Sequence, residues 1–422
     1  MRRVHNILVY PCETQVGMEL NHCLRFSPHF RVFGCAGEPV RAGYAFDNSA
    51  GFLPPIKSDE FLPELTRVIR EKNIDFVFPA SDESLTELSE LAADGLVEAE
   101  VVAPPVDVCR LCSSKSAIHA FFSGKVELPG QCRRDQLTAD DFPVWVVSEQ
   151  RWAKGRKVDG NAESIRDDEA VFEYIPGTEF AVDCFSDAGN ALLFVSGRER
   201  RVFSGWNSVN DILCERQDFR RFAEAINVEL KLRGAWTFLL REDKLGKLRL
   251  MGLRPSLGLG AGLQRIRGIN LVTATLCDRL GMDVRFVPNK MEGASADWRP
   301  AGHFRLNIEY DTAYLDLENT VIVDGKVDLD AVRFIFSCRN KGTRVVLVER
   351  GFDPPEKMLA RHGLTGLFDQ VLWIEGNEGK SSVMTSSKAI FVDDSSTERR
   401  EVALSLGIPV FDPSAFDALI EA

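Results

Sequence analysis

No apolar run in this sequence reaches the roughly 18–20 residues that a membrane-crossing helix needs, so a membrane is not expected as a partner. Positive charge is short as well. Against 63 Asp and Glu there are only 51 Lys and Arg, which leaves a net charge of −12 at pH 7. Phosphate backbones and anionic lipids bind basic faces, so nucleic acid is not expected either. Nor is a secretory leader expected. The run ILVY near the N-terminus is shorter than the roughly 7–15 residues of a signal-peptide core and suits a first β-strand better. The ten cysteines are scattered, and the lone C-x-x-C of Cys109 and Cys112 has no second pair or His pair at zinc spacing. Free thiols in a reducing cytoplasm follow as the expectation. Internal repeats and low-complexity tracts are absent too.

What is present is an ordinary folded-protein composition on a long chain. At 422 residues a single compact core is too small an answer, and two to four units are expected. Residues 1–110 alternate strand runs (Asn6–Tyr10, Phe30–Gly34, Ile74–Pro79, Val101–Pro104) with helical patterns (Val16–Leu24, Glu60–Glu71). That order predicts a parallel β-α-β sheet. The segment after the first strand, PCETQVGMEL, carries one glycine where a dinucleotide-binding fold would carry G-x-G-x-x-G, so the unit is Rossmann-like without the cofactor fingerprint. Residues 111–290 are richer in strands, at Val144–Val147, Glu179–Phe185, Ala191–Val195, Trp236–Leu240 and Lys247–Gly252, with one clear helix over Gln217–Leu232. This predicts an α+β unit. A proline-broken polar stretch then suggests a linker, bounded as 291–312. From 313 to 422 a further α/β pattern follows, with strands at Tyr314–Leu317, Arg344–Val348, Gln370–Trp373 and Ala389–Val392.

Acids stand at the ends of those last strands. YLDLENT sets Asp316 and Glu318 two residues apart just past a strand, and AIFVDDSSTER ends another in Asp393 and Asp394. One carboxylate can attack phosphorus, a second can exchange the proton, and the acidic pair can hold a divalent cation through oxygen. Lys380 in GNEGKSS can neutralise the nucleophile. In this order, the features resemble the haloacid-dehalogenase-like (HAD-like) superfamily across residues 313–422. The resemblance implies Asp316, Glu318 and Lys380 as catalytic residues, with Asp316, Asp393 and Asp394 holding Mg²⁺. It is imperfect at two points. Glu318 replaces the usual second Asp, and Glu349 falls where a Ser or Thr would bind phosphoryl oxygen, placing negative charge there.

Residues 75–275 resemble the ATP-grasp superfamily, in particular proteins like the large subunit of carbamoyl-phosphate synthase. The stretches that carry this are FPASDE (78–83), SSKSAI (113–118), FEYIPGTEFAVD (172–183), GRERRVFSG (197–205), LRGAWTF (232–238), RPSLG (254–258) and RGIN (267–270). The resemblance implies a nucleotide site made of Lys115, the hinge Glu173, Tyr174 and Ile175, Glu179 toward ribose, and Arg198 and Arg200 toward phosphate. It also marks losses. The loop lysine falls on Val147 or Ser148, and Arg151, Trp152 and Ala153 replace glycines, with Lys154 and Lys157 as substitutes for the charge. The metal-binding acid falls on Gly252, its partner on Leu239, and the residues after it on Arg254 and Ser256. Glycine and leucine offer Mg²⁺ no side-chain oxygen.

These readings imply an α/β protein with a Rossmann-like pre-ATP-grasp domain, an ATP-grasp domain and a HAD-like domain. The expected function is a pseudoenzyme that binds a nucleotide, ATP included, or a small metabolite, or that supports an active ATP-grasp partner or a homo-oligomer. The alternatives are an active carboxylate–amine ligase using Glu242 or Asp243 in unusual roles, and a Mg²⁺-dependent phosphatase acting through Asp316.

Overall fold

The computed structural model describes residues 3–421 apart from 39–45, 47, 150–154, 161, 205–206, 259, 292, 298–302, 352–353, 375 and 377. The first five strands are β1 (His5–Tyr10), β2 (Phe30–Ala36), β3 (Ser49–Phe52), β4 (Phe76–Pro79) and β5 (Glu100–Val101). They form a parallel sheet in the order β3-β2-β1-β4-β5. Strand β1 is buried on both faces, as parallel strands usually are. Ile7 and Val9 join Leu20 and Leu24 of helix α1 (Gln15–Leu24). Leu8 and Tyr10 join Phe61, Leu65 and Val68 of helix α2 (Phe61–Lys72). Helix α3 (Asp82–Ala93) starts on a reciprocal cap between Ser81 and Ser84. Thr14 caps α1 by accepting from Gly17 N at 2.9 Å. Both caps satisfy otherwise orphaned N–H groups.

Helices α4 (Val106–Ser113) and α5 (Lys115–Phe122) lead into a small antiparallel sheet. It comprises β6 (Gln131–Cys132), β7 (Val144–Ser148), β8 (Gly155–Val158) and β9 (Glu169–Glu173), in the order β6-β9-β7-β8. A seven-stranded antiparallel sheet follows, made of β10 (Glu179–Ser186), β11 (Leu192–Ser204), β12 (Asn207–Cys214), β13 (Gly234–Glu242), β14 (Leu248–Arg254), β15 (Ser295–Asp297) and β16 (His303–Arg305). Its order is β14-β13-β10-β11-β12-β15-β16. Alternation along β10 divides the chemistry. Phe180, Val182 and Cys184 face Phe219, Phe222, Ala223 and Ile226 of α6 (Gln217–Leu230) in one apolar core. Glu179, Ala181 and Asp183 turn to the opposite, polar face. Helix α6 ends earlier than the sequence suggested because Lys231 takes a left-handed φ of 49°. Helices α7 (Ala261–Ile266) and α8 (Leu271–Arg279) return the chain toward α1.

The stretch expected to be a linker is built into the body. Residues 295–297 and 303–305 are β15 and β16, at the edge of the large sheet. Met291, Ala294, Ala296, Phe304 and Leu306 are buried in one cluster with Ala313, Leu315, Phe334, Phe411 and Phe416. Prolines and polar residues masked this alternation of small and apolar side chains.

The last sheet contains β17 (Thr312–Leu315), β20 (Arg344–Arg350), β21 (Gln370–Ile374), β22 (Ala389–Val392) and β23 (Val410–Phe411), all parallel, in the order β21-β20-β17-β22-β23. A two-stranded hairpin, β18 (Ile322–Val323) and β19 (Lys326–Val327), follows β17. Helices α9 (Leu329–Asn340), α10 (Glu356–Arg361), α11 (Ser396–Leu406) and α12 (Phe416–Glu421) complete this unit. Arg265 of α7 ties it to the rest. The buried guanidinium meets Glu19 of α1 at 2.8 Å, Asp417 of α12 at 3.0 Å and the Ser414 carbonyl. Asn289 pairs twice with Val410, at 2.7 and 2.8 Å. Beside it, Gly268 has φ +83° and lies so close that a Cβ there would meet the Val410 oxygen at 2.8 Å, a position only glycine fills without strain. Among the described residues no helix is long and apolar enough to cross a membrane.

Candidate functional sites

The first site lies where the small sheet meets the large one. Lys115, Ile118 and His119 of α5, Leu128 and Pro129, Trp145 of β7, Phe172 of β9, and Leu250 and Met251 of β14 line a narrow pocket of about 20 Å³. Its walls are mostly apolar, with a cation at one side. The Lys115 amine is 5.9 Å from the Trp145 ring centroid, and burial, opposed by Glu179 and aided by Arg241, pushes it down to about 8. The hinge expected at Glu173–Ile175 sits beside this pocket, and its groups are engaged. Glu173 exchanges bonds with Gly130, N to O at 2.7 Å and Oε2 from N at 3.1 Å. The Ile175 carbonyl accepts from Arg241 at 3.2 Å, and Lys157 stands 5.2 Å from the Tyr174 ring centroid.

The polar face of the large sheet carries the residues expected to reach ribose and phosphate. Cross-strand pairing sets Arg241, Glu179, Arg200 and Asp211 in one row. The next row holds Gly252, Leu239, Ala181 and Arg198, and a third Arg254, Thr237, Asp183 and Ser196. The ionic groups close on one another. Arg200 and Arg241 both hold Glu179, the latter at 2.8 Å. Arg198 lies between Asp183 at 3.1 Å and Asp211 at 2.6 Å, all three buried. Asp183 also takes hydrogen bonds from Thr237 and Gln264, each at 3.1 Å. Asp183, Asp211, Thr237 and Gln264 were not singled out in the sequence. The signal was the alternation of charged residues along β10 and β11, which pattern reading treats as surface.

Leu239 and Gly252 are direct cross-strand neighbours, so the two positions that the sequence resemblance assigned to metal ligands stand together. They do not fit a magnesium ion, which requires oxygen donors. Arg254, two residues on, reaches across to Asp82 at 2.6 Å. Together with Ser256, Thr14, Gln15 and Ser81, these residues line a cleft of about 250 Å³ at the carboxyl ends of β1 and β4. That is where strand order reverses in the first sheet, the usual ligand crevice of open α/β sheets. Glu242 pairs with Arg216 at 2.5 Å. Asp243 closes the β13–β14 turn, accepting from Leu245 N, Lys247 N and Arg249. Neither carboxylate serves the cleft. Lys157 pairs with Asp159, and Arg151, Trp152, Ala153 and Lys154 lie outside the described residues.

The second site is at the carboxyl ends of the last parallel sheet. Leu315 pairs with Val392, which sets Asp316 and Asp393 side by side at the next residue. Lys380, in the single turn Lys380–Val383, donates to both, to Asp393 at 2.7 Å. Burial and the Asp393 charge push the Asp316 carboxyl well up, against the pull of Lys380. Burial works to lower the Lys380 amine, but Asp316 and Asp393 outweigh it and hold it above its usual value. Burial and Asp393 push Asp394 up to about 7. Carboxylate oxygens of Asp316, Asp393 and Asp394 all lie within 4.8 Å of one another, a donor set that fits a hard divalent cation. Glu318 is exposed and outside this cluster. Glu349 closes the other side, taking the Leu317 N–H at 3.2 Å.

Among known proteins, a family model described as "ATP-grasp in the biosynthetic pathway with Ter operon" matches residues 166–299. No curated protein is similar in sequence. Solved structures are similar in shape. Pyruvate carboxylase T882A of Rhizobium etli, with the allosteric activator acetyl coenzyme A, has a TM-score of 0.56 at 17% identity, over 70% of this chain and 30% of that one. Biotin carboxylase of Campylobacter jejuni, in complex with β-γ-ATP, gives 0.57 at 14% identity over 70% and 75%. L-amino acid ligase of Bacillus licheniformis gives 0.54 at 16% identity over 70% and 79%. Over the greater part of its length, this chain has the ATP-grasp fold.

Proposed function

We propose that the ATP-grasp portion is a pseudoenzyme, a module that holds an adenine nucleotide or a related small metabolite without magnesium-dependent ligation and serves as a binding or partner subunit. The observation that carries this is Leu239 set opposite Gly252, two side chains with no oxygen where a triphosphate's cation would need several. The arginines add support. Arg198, Arg200 and Arg254 are engaged by Asp183, Asp211, Glu179 and Asp82, so a phosphate would have to displace an internal partner. The narrow pocket beside Lys115 and Trp145 is lined mainly by apolar side chains, among them the Trp145 and Phe172 rings, the chemistry against which a purine base would stack if the pocket opened to admit it. An active carboxylate–amine ligase is the competing reading, and it would need Glu242 or Asp243 as metal ligands, which their pairing with Arg216 and Arg249 disfavours.

Isothermal titration of the full chain with ATP, in Mg²⁺ and in EDTA, tests the proposal. Affinity should agree within about twofold, and no ADP should form with any member of an amino-acid panel. Amine-dependent ADP release would overturn it. Light scattering, alone and with a candidate ligase, would read whether the chain self-associates or joins an active ATP-grasp partner. The ten free cysteines suit a cytoplasmic setting.

A second reading concerns the C-terminal unit, which we propose to be a HAD-like phosphatase or phosphotransferase centre. It is favoured by the convergence of Asp316, Asp393 and Asp394. Mg²⁺ bound to those carboxylates would supply charge neutralisation at the phosphoryl group. Asp316 would act as nucleophile with its carboxylate oriented by Lys380, and exposed Glu318 would exchange the proton. Hydrolysis of an aryl phosphate, however slow, should vanish in Asp316→Asn. Turnover that survives this change would sink the reading.

A further inference from the structure

The C-terminal centre carries an anion of its own. A phosphoryl group attacked by Asp316 would develop negative charge at this strand end, and a backbone N–H beside the nucleophile is a donor that could meet it. That donor is Leu317 N, and Glu349 Oε2 already accepts it at 3.2 Å. The fold fixes this arrangement. Strand β20 runs parallel to β17 with Leu315 opposite Leu347, so Glu349 stands level with residue 317 at the strand ends, half-buried and facing the centre. Lys380, a cation that would attract a phosphate, is taken by Asp316 and Asp393. A dianion entering here would meet the carboxylates of Glu349, Asp316 and Asp393 together, and close like charges disfavour one another strongly.

We propose that Glu349 is a specificity-determining residue, a built-in occupant of the anion position beside Asp316 that keeps phosphate monoesters out of the C-terminal centre. This rests on the reading of Asp316 as a phosphoryl-accepting nucleophile. With the position cleared, an Asp316 oxygen forms a bond to phosphorus as the ester P–O bond breaks. The leaving alkoxide or phenolate carries away the electron pair. Water then cleaves the aspartyl phosphate, giving inorganic phosphate and restoring the carboxylate.

The test uses the full chain with Mg²⁺ and two probes, inorganic phosphate for binding by titration calorimetry and p-nitrophenyl phosphate for turnover. Glu349→Ser should bind phosphate roughly 10- to 100-fold more tightly than the native chain and gain hydrolysis that Asp316→Asn in the same background removes. Glu349→Ala provides the same vacancy should the serine variant melt early. Phosphate binding gained without turnover would support the blocked position while removing the hydrolase reading. Native turnover equal to that of Glu349→Ser, or folded variants that bind phosphate no better than the native chain, would overturn the inference.

Discussion

The two sites handle buried charge in opposite ways. On the polar face of the large sheet, Arg198, Arg200 and Arg241 are matched by Glu179, Asp183 and Asp211. That set is electrically complete without a ligand. In the C-terminal centre, Asp316 and Asp393 share Lys380, Asp394 lies beside them with Arg399 against its carbonyl, and Glu349 adds a fourth carboxylate at Leu317 N. That set is short of positive charge, and a divalent cation would relieve it. The contrast teaches that two charged faces of one chain differ in whether their cations and anions already satisfy one another.

The comparison can be broken most sharply at Arg198. Arg198→Ala removes the cation paired with buried Asp183, and should lower unfolding free energy by about 3–5 kcal/mol, read by urea denaturation. A loss under about 1 kcal/mol, the range of an exposed pair, would mean that the network is not closed. Magnesium separates the sites next. Mg²⁺ should stabilise the native chain by about 2–3 kcal/mol near 100-fold excess over its dissociation constant. Asp393→Asn should cancel that gain, while Asp183→Asn should leave it intact.

A smaller effect concerns Lys115, which faces Glu179, Arg241 and neighbouring His119. Its amine is protonated below about 8 and neutral above, so ATP affinity should fall as pH rises through that value. Lys115→Met should cost about 1.5–3 kcal/mol of binding at pH 7 and flatten the profile. The smallest effect is expected at Arg67, exposed on α2 beside Glu64 and Glu71. Arg67→Ala should leave the melting midpoint unchanged, since such surface pairs contribute little.

Much of the strand layout was legible because apolar runs of four to six residues repeat between helical patterns. The four C-terminal strands predicted from such runs correspond to β17, β20, β21 and β22. What local pattern could not show were partners far apart in the chain. Arg254 finds Asp82 and Arg265 finds Glu19 and Asp417, and no periodicity links such positions. Strand β12 was missed because Asn207, Ser208, Asn210 and Asp211 break up its apolar residues. The pairing of Leu239 with Gly252 followed motif spacing. The internal neutralisation of the arginines did not, because motif spacing says nothing of what a guanidinium will meet.

Arg265 has a mechanical consequence. Its guanidinium is held at once by α1, α12 and the Ser414 carbonyl, so sliding any of these bodies would strip a buried cation of its anions. The small sheet, by contrast, has a core of its own in Val144, Val146, Val158, Ile165 and Val171. Sliding α1 or α12 past α7 would leave the Arg265 charge buried and unpaired, so these three helices are expected to move as one block.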